Sequence, residues 1–342
     1  MRLFEGYKKG VNLGGWLSQC RDHYNDEHYS TFITEPDMDV IKSWGCDHVR
    51  VPVDYNVVMK EDGSFIESGF KYIDNVIAWC EKRGMKMVLD LHKAPGFIFD
   101  DKEYCQFFFD KKLQDYFVSL WEEFSHRYAK YHSFVAFELL NEVTEDRFAA
   151  TWNEISARAI KAIRAISKDV KIVIGGIHHS SIEGLELLEK PADDNIVFTF
   201  HCYSPLLFTH QRAYWVENMP SAFQIDYPGK VSEYVQKSNE ILGDRFGNDF
   251  FCDAEYLDSS YFEGLFARAI RVAEKFNVPL YCGEYGVIDR IELKSTVNWF
   301  KDINAALEKH NIARSVWTYK EMDFGLCGEH YAECIDELVK YL

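Results

Sequence analysis

The chain has 342 residues, and 55 acidic against 38 basic side chains give it a formal net charge of −17. This negative charge repels polyphosphate and argues against a nucleic acid partner. Hydrophobic residues make up 47% of the chain and aromatic residues 16%, which allows one large core with rings left over for a ligand-facing surface, and no apolar stretch approaches the length of a membrane span.

Short apolar runs rich in β-branched residues alternate with longer stretches of helical periodicity. This alternation is typical of a parallel sheet with crossover helices. Eight strands are predicted, at residues 10–16, 46–53, 85–92, 134–143, 170–176, 195–203, 279–286 and 313–320. Amphipathic helices are predicted between them, for example at 66–84, 111–131, 147–167, 261–277 and 295–311. Eight strands with eight connections predict an α/β fold, a single (β/α)8 TIM barrel over residues 1–342.

An open, doubly wound sheet is the alternative architecture. It would normally carry a glycine-rich dinucleotide motif after the first strand, and residues 10–16 (GVNLGGW) do not fit one. Residues 204–260 are too long for a normal strand-to-helix connection and are rich in aromatic residues. We predict that they form an inserted subdomain after strand six, a lid over the barrel mouth.

The nine cysteines are odd in number and scattered, without a C-x-x-C pair. Reduced thiols are therefore expected, which agrees with a reducing compartment and argues against a structural zinc site. The first residues, MRLFEG, lack the apolar core of a secretory signal. These features predict a cytoplasmic protein.

Polar and aromatic side chains recur at or near the predicted carboxyl ends of the strands, where barrel active sites lie. One such residue could be a satisfied core group, but charges are costly to bury unless they serve each other. Eight on one face therefore indicate a functional site. They are Arg50, His92, Asn141, Glu142, His201, Tyr203, Glu284 and Trp317.

Two carboxylates lie at the centre of this set, Glu142 at the end of the fourth strand and Glu284 near the end of the seventh. Glycosidic cleavage needs a proton donor to the leaving oxygen and an anion facing the anomeric carbon, and two such carboxyls can supply both. Glu138 is a further acidic candidate, but it lies deeper in its strand and is predicted to be a structural carboxylate of the core.

The other side chains have roles that suit this chemistry. Arg50 and Tyr203 can keep one carboxylate ionised by donating hydrogen bonds to it. Asn141 can bond a sugar 2-hydroxyl, a contact that strengthens in the transition state. His201 can orient Glu142, and Trp317 can form the floor under the reacting ring.

Metal and serine chemistry fit the sequence less well. Neighbouring His178 and His179 cannot both face one ion from a strand, and no H-E-x-x-H spacing occurs. A G-x-S-x-G elbow, as in many serine hydrolases, is missing too. We therefore predict neither a catalytic metal nor a cofactor.

The chain resembles glycoside hydrolase family 5 in motifs that run in order through nearly its whole length. These are GVNLGGW at 10–16, HVRVP at 48–52, LDLH at 89–92, LNE at 140–142, HCY at 201–203, GEYG at 283–286 and VW at 316–317. It is most similar to the clostridial endoglucanases of that family with a subdomain inserted after strand six, where FTHQ at 208–211 and Trp215 also match.

The resemblance implies a retaining β-glycoside hydrolase with Glu142 as acid/base and Glu284 as nucleophile, an assignment that the spacing of the residues leaves open. It also implies that the other six residues support this pair. The chain departs from those endoglucanases at Lys93, where they carry a second histidine; a cation here would lie near the subsites for the glycone, the part of the substrate on the non-reducing side of the cleaved bond.

The expected substrate and partner is a β-1,4-linked glucan or its oligosaccharides. An exo-β-1,3-glucanase, a mannan-active enzyme, a transglycosylase and a non-catalytic carbohydrate-binding protein are the alternatives. No membrane partner is expected, and the sequence leaves the oligomeric state open. A retaining mechanism predicts carboxyl groups about 5–5.5 Å apart, against roughly 6.5–9.5 Å for inversion. It also predicts that the anion of Glu284 raises the pKa of Glu142.

Overall fold

Eight parallel strands, paired in chain order from first to last and back to the first, close into a barrel in the computed structural model. The structure describes residues 1–101, 103–243 and 253–342. The strands are β1 Lys9–Asn12, β2 His48–Asp54, β3 Lys86–Lys93, β4 Val135–Glu138, β5 Lys171–Gly175, β6 Ile196–Cys202, β7 Leu280–Tyr285 and β8 Ala313–Val316. All eight predicted strands are present, and the predicted TIM barrel is confirmed.

Helices surround the barrel, and the five that were predicted lie within about three residues of their expected ends. Within the described ranges, the helices of six or more residues are α1 Asp26–Thr31, α2 Glu35–Ser43, α3 Glu67–Arg83, α4 Lys111–Tyr128, α5 Ala149–Ile166, α6 Val231–Leu242, α7 Ser259–Phe276 and α8 Leu293–Lys309. Single α-helical turns occur at Tyr55–Val58, Leu206–Thr209 and Ile335–Leu338. Among the described residues, no helix is long and apolar enough to cross a membrane.

The inside of the barrel is layered. Its lower layer is mostly apolar, and His48 of β2 lies in it, 3.1 Å from the Tyr281 hydroxyl. The apolar members are one residue from each of β3 to β8 and two rings of the N-terminal segment: Phe4, Tyr7, Val88, Ala136, Val173, Val197, Tyr281 and Ala313. Phe4 and Tyr7 stack with their ring centroids 4.0 Å apart and close the barrel from below. Two residues further along the strands, the inward positions become polar, among them Arg50, Asp90 and Glu138, all buried.

Several strands end earlier than predicted. The fourth was predicted to reach residue 143 but pairs only to Glu138. The amide of Asn141 still donates to the carbonyl of Leu91 at 3.0 Å, so the chain follows the barrel rim. Glu142 then has a φ of 44°, in the left-handed region that a strand cannot accommodate. The first strand likewise ends at Asn12, because Gly15 turns the chain with a φ of 76°.

The last strand was predicted to reach residue 320 but ends at Val316. Beyond it the chain crosses over β1, since the hydroxyl of Thr318 and the amide of Tyr319 both donate to the carbonyl of Asn12, at 2.8 and 3.0 Å. Residues 318 and 319 thus stay beside β1 although the strand has ended.

The connection between β6 and α7 holds the predicted insertion. The structure describes it at residues 204–243 and 253–260, and the rest of the predicted segment lies outside the described residues. Tyr227 ties the connection to α8, because its amide bonds the Ser295 hydroxyl at 3.2 Å and its own hydroxyl donates to Asp302 at 2.9 Å. That these residues form a separate subdomain stays a prediction.

Candidate active site

A buried arginine organises the carboxyl end of the barrel. Arg50 makes a bidentate pair with Glu138, at 2.7 and 2.9 Å. Its Nη1 also donates to Glu284 at 2.7 Å and to Asn12 at 3.0 Å, while Nη2 donates to Asn141 at 3.0 Å. Because the guanidinium is rigid and planar, these bonds fix the relative positions of four strands.

The guanidinium does not balance the charges around it. A third carboxylate, Asp90, lies with its Oδ2 3.1 Å from Arg50. Burial raises the pKa of Asp90 to about 6, against the lowering effect of Arg50, and it also raises the pKa of Glu138. Glu138 is thus the structural carboxylate that its deep strand position predicted.

The two central carboxylates are neighbours. Tyr203 donates to Glu284 Oε2 at 2.9 Å, so Arg50 and Tyr203 hold the same carboxylate, as predicted. The ring of His201 lies between the pair, with Nδ1 2.7 Å from Glu142 Oε1 and 3.6 Å from Glu284 Oε2. One oxygen of each carboxylate and a nitrogen of His201 all lie within 4.8 Å of one another. This spacing suits retention and is too short for the water that inversion requires.

The predicted rise in the pKa of Glu142 is wrong. Burial alone would raise it, but hydrogen bonds from His179 and His201 outweigh burial and lower it. For His201 the balance is reversed. Burial would lower its pKa, whereas the charge of Glu284 and the bond to Glu142 raise it. The hydrogen bond between Glu142 and His201 therefore shifts the two pKa values in opposite directions, as in a pair that titrates together.

His92 and Trp317 line the same space with rings that are stacked 5.7 Å apart at an interplanar angle of 5°. Burial lowers the pKa of His92 to about 4, so the ring is neutral. Its Nδ1 lies 2.7 Å from Asp90 Oδ2 and must carry the hydrogen, which leaves Nε2 as an acceptor. That Nε2 and the side-chain nitrogen of Asn141 have no hydrogen-bond partner within the described part of the chain, and both can meet a hydroxyl.

Lys93 is not an isolated cation. Its Nζ lies 3.6 Å from Asp54 Oδ2, and the Lys93 side chain is only 16% exposed. The hydroxyl of Tyr24 and the backbone amide of Gln19, the latter at 2.9 Å, donate hydrogen bonds to the same carboxylate. Lys93 and Tyr24 line a cleft of about 530 Å³, together with Tyr55, Met59, Ile98 and Tyr104.

Sequence reasoning missed three residues of this site. Asp90 and Asn12 lay inside the quoted motifs and could have been found from their inward positions, two residues before His92 and level with Arg50. His179 was considered only as a metal ligand, yet its Nδ1 lies 3.4 Å from Glu142 Oε2. This contact depends on a left-handed turn at residues 178–180, which no sequence pattern predicts.

The same cluster offers one arrangement of donors that could hold a metal ion, formed by Glu142, His201 and Glu284. The chemistry fits a metal poorly. Arg50 already brings a positive charge within 2.7 Å of Glu284, and the nitrogen of His201 nearest both carboxylates is committed to Glu142.

Comparison with known proteins gives concordant matches. A family model described as cellulase (glycosyl hydrolase family 5) matches residues 6–323. Cellodextrinase A of Ruminococcus flavefaciens is 44% identical over 310 residues, which cover 90% of this chain and 84% of that protein. Endoglucanase C of Acetivibrio thermocellus is 38% identical over 342 residues, or 98% of each. A crystal structure of Thermotoga maritima Cel5A in complex with mannotriose aligns with a TM-score of 0.74 at 25% identity, covering 98% of this chain and 97% of that one.

Replacing Arg50 by Met is expected to lower the free energy of unfolding by about 3–5 kcal/mol at neutral pH, because buried carboxylates lose their cation. The loss should shrink as the pH falls. Burial already raises the pKa of Asp90 and Glu138, and without Arg50 both rise further. The folded variant then binds more protons than the unfolded chain and is stabilised by acid. Urea titrations at several pH values measure this.

The matched control is Arg158→Met, since Arg158 pairs with the exposed carboxylate of Asp115. It should cost less than about 1 kcal/mol at every pH. A loss for Arg50→Met that stays constant with pH would contradict this account of the network.

Proposed function

Since this chain belongs to the cellulase family, glycosyl hydrolase family 5, we propose that it hydrolyses β-1,4-linked glucan and the soluble oligosaccharides derived from it, with retention at the anomeric carbon. The observation that carries the proposal is the adjacent pair of carboxylates. Glu284 is held by Arg50 and Tyr203, while Glu142 is bonded to His201.

In the first half-reaction Glu284 attacks the anomeric carbon and the bond to the leaving oxygen breaks. Arg50 and Tyr203 hold the Glu284 carboxylate in place for this attack by hydrogen bonds of 2.7 and 2.9 Å. The leaving oxygen takes a proton from Glu142. The 2.7 Å contact with His201 orients the Glu142 carboxyl for this transfer. The product is a glycosyl ester on Glu284.

In the second half-reaction Glu142 accepts a proton from water, and the water oxygen attacks the anomeric carbon to release the sugar. Because Glu284 is now a neutral ester, its negative charge no longer raises the pKa of His201. The Nδ2 of Asn141 can donate to the sugar 2-hydroxyl, and Trp317 can lie beneath the ring.

The relatives support a β-1,4-glucan substrate by name, as a cellodextrinase and an endoglucanase. The insertion adds an aromatic rim, since Trp215 is 45% exposed and its ring lies 6.1 Å from His210 and 6.4 Å from Phe324. A pyranose can stack on such a rim. Mannan is the second candidate, because Cel5A binds mannotriose.

A panel of oligosaccharides from cellulose, lichenan, laminarin and mannan, with product analysis, tests the substrate. We expect the highest kcat/KM on β-1,4-linked glucose oligomers and β-anomers as first products. Preference for laminarin or mannan oligomers would overturn the substrate, α-anomers would overturn the mechanism, and inactivity on all four would leave a binding protein. Longer products would indicate transglycosylation.

Variants of the two carboxylates test their roles. Glu284→Gln should abolish hydrolysis of every aryl β-glycoside, because no ester can form. Glu142→Gln should lower kcat/KM on phenyl glycosides by about 10²–10⁴-fold, but change it little on dinitrophenyl glycosides, whose leaving group needs no proton. Glu145→Gln is the matched control on the same loop, since Glu145 pairs with Arg147. Unchanged hydrolysis by Glu284→Gln would refute the nucleophile.

We propose further that the glycone end of the substrate reaches the cleft beside β2 and β3. Because Asp54 balances its charge, Lys93 suits the hydroxyls of a neutral sugar better than an acidic one. The tyrosines that line the cleft offer rings and hydroxyls to the same ligand.

Lys93→Met is expected to lower kcat/KM for an aryl cellotetraoside about tenfold or more, the loss of one hydrogen bond to a charged group. The aryl cellobioside should be affected much less. Lys161→Met, an exposed lysine of α5, is the control. Equal losses on the two substrates would place Lys93 outside the glycone subsites.

We also propose, as a separate point, that the enzyme works inside the cell. No disulfide joins the cysteines that the structure describes, and such thiols are usual in a reducing compartment. Cell fractionation checks this: the activity should be found in the lysate, and activity in the medium would contradict it.

A further inference from the structure

The segment after β5 has an unusual backbone. Three successive residues, His178, His179 and Ser180, have φ values of 56°, 55° and 54°. Residues other than glycine visit this left-handed region rarely, and then usually one at a time. Such a conformation persists only where the surroundings impose it, and it is found mostly at functional sites.

Two contacts and one close backbone approach hold this turn in place. The amide of His179 donates to the carbonyl of Val143 at 3.0 Å, and the ring of His178 pairs with Asp146. Both partners belong to the loop that carries Glu142. Beneath the turn, a Cβ on Gly176 would lie 2.3 Å from the backbone of Gly184, so the chain is closely packed there. The turn is thus fastened to the loop of the acid/base candidate.

Glu142 has a left-handed backbone as well, with a φ of 44°. Its two carboxylate oxygens face different imidazoles. Oε1 lies 2.7 Å from His201 Nδ1, and Oε2 lies 3.4 Å from His179 Nδ1. The side chain of His201 is 2% exposed and that of His179 is 46% exposed. The carboxylate is therefore held from the barrel interior on one oxygen and from the solvent side on the other.

We propose that His179 is a positioning residue for the reaction, one that fixes the rotation of the Glu142 carboxyl so that its proton is directed at the leaving oxygen. The inference rests on the proposed function, because it assigns a partner to the proposed acid/base. The proton passes from Glu142 to the leaving oxygen and returns to Glu142 from the attacking water. His179 donates a hydrogen bond throughout and gains or loses no proton.

The geometry explains why a second histidine is needed. A carboxylate that is hydrogen-bonded through only one oxygen can still turn about that hydrogen bond, so the direction of its other oxygen is not fixed. A contact on each oxygen removes this freedom, and holding reacting groups in place contributes strongly to rate. The strained turn delivers the second contact from a strand that supplies no other catalytic group.

The test compares two aryl β-cellobiosides, one with a phenyl and one with a dinitrophenyl leaving group, in His179→Ala and His179→Gln. We expect kcat/KM for the phenyl substrate to fall about tenfold or more in His179→Ala, as for a lost hydrogen bond to a charged group. The value of kcat/KM for the dinitrophenyl substrate, which reports only the step with the good leaving group, should change little. His179→Gln keeps an N–H donor and should restore part of the phenyl activity.

His178→Gln is the matched control, since it alters the same turn without touching Glu142. It should leave the ratio of the two activities as in the native enzyme. Equal loss on both substrates in His179→Ala, or the same ratio change in His178→Gln, would mean a merely structural turn and overturn the proposal, as would unchanged activity in both His179 variants. If His179→Ala does not fold, His179→Asn against His179→Gln carries the same comparison.

Failure of the proposed function has a different signature. In that case Glu142→Gln would show no leaving-group effect, whatever His179 does. A leaving-group effect in Glu142→Gln without one in His179→Ala would refute this inference alone.

Discussion

The charge of Arg50 is the constraint on which the rest of the site depends. One guanidinium faces three carboxylates inside the barrel, and two of them, Asp90 and Glu138, have their pKa raised by burial. The third, Glu284, accepts its shortest bond from the same group. Since burying charge is costly unless it is paired, the sequence must bring these residues together inside the barrel from β2, β3, β4 and β7. The proposed nucleophile is thus part of the element that holds the barrel together.

The fold could be predicted because a parallel barrel repeats one local pattern, an apolar run followed by an amphipathic helix. The residues at which the strands end could not be predicted in this way. Glu142 and Gly15 leave the sheet through positive φ values, and nothing in the hydrophobic pattern of residues 134–143 or 10–16 distinguishes a paired residue from one that follows the rim. The pattern records burial, and rim residues are buried too.

The site was predictable where one strand position determines a side chain's direction, as for Arg50 and Tyr203. It was not predictable where two loops meet, as for His179, or where several charges compete. The expected rise in the pKa of Glu142 considered Glu284 alone, whereas the two histidines lower that pKa against the effect of burial. For Lys93 the sequence suggested an unpaired cation, whereas in the structure its Nζ lies 3.6 Å from Asp54 Oδ2.

The stacked rings of Phe4 and Tyr7 give the barrel a floor. His48 of β2 lies among these apolar side chains, with its ring 2.7 Å from Asp47 Oδ1 and 3.1 Å from the Tyr281 hydroxyl. The amino end of the barrel is thus filled by side chains, and a sugar reaches the two carboxylates from the carboxyl end of the strands.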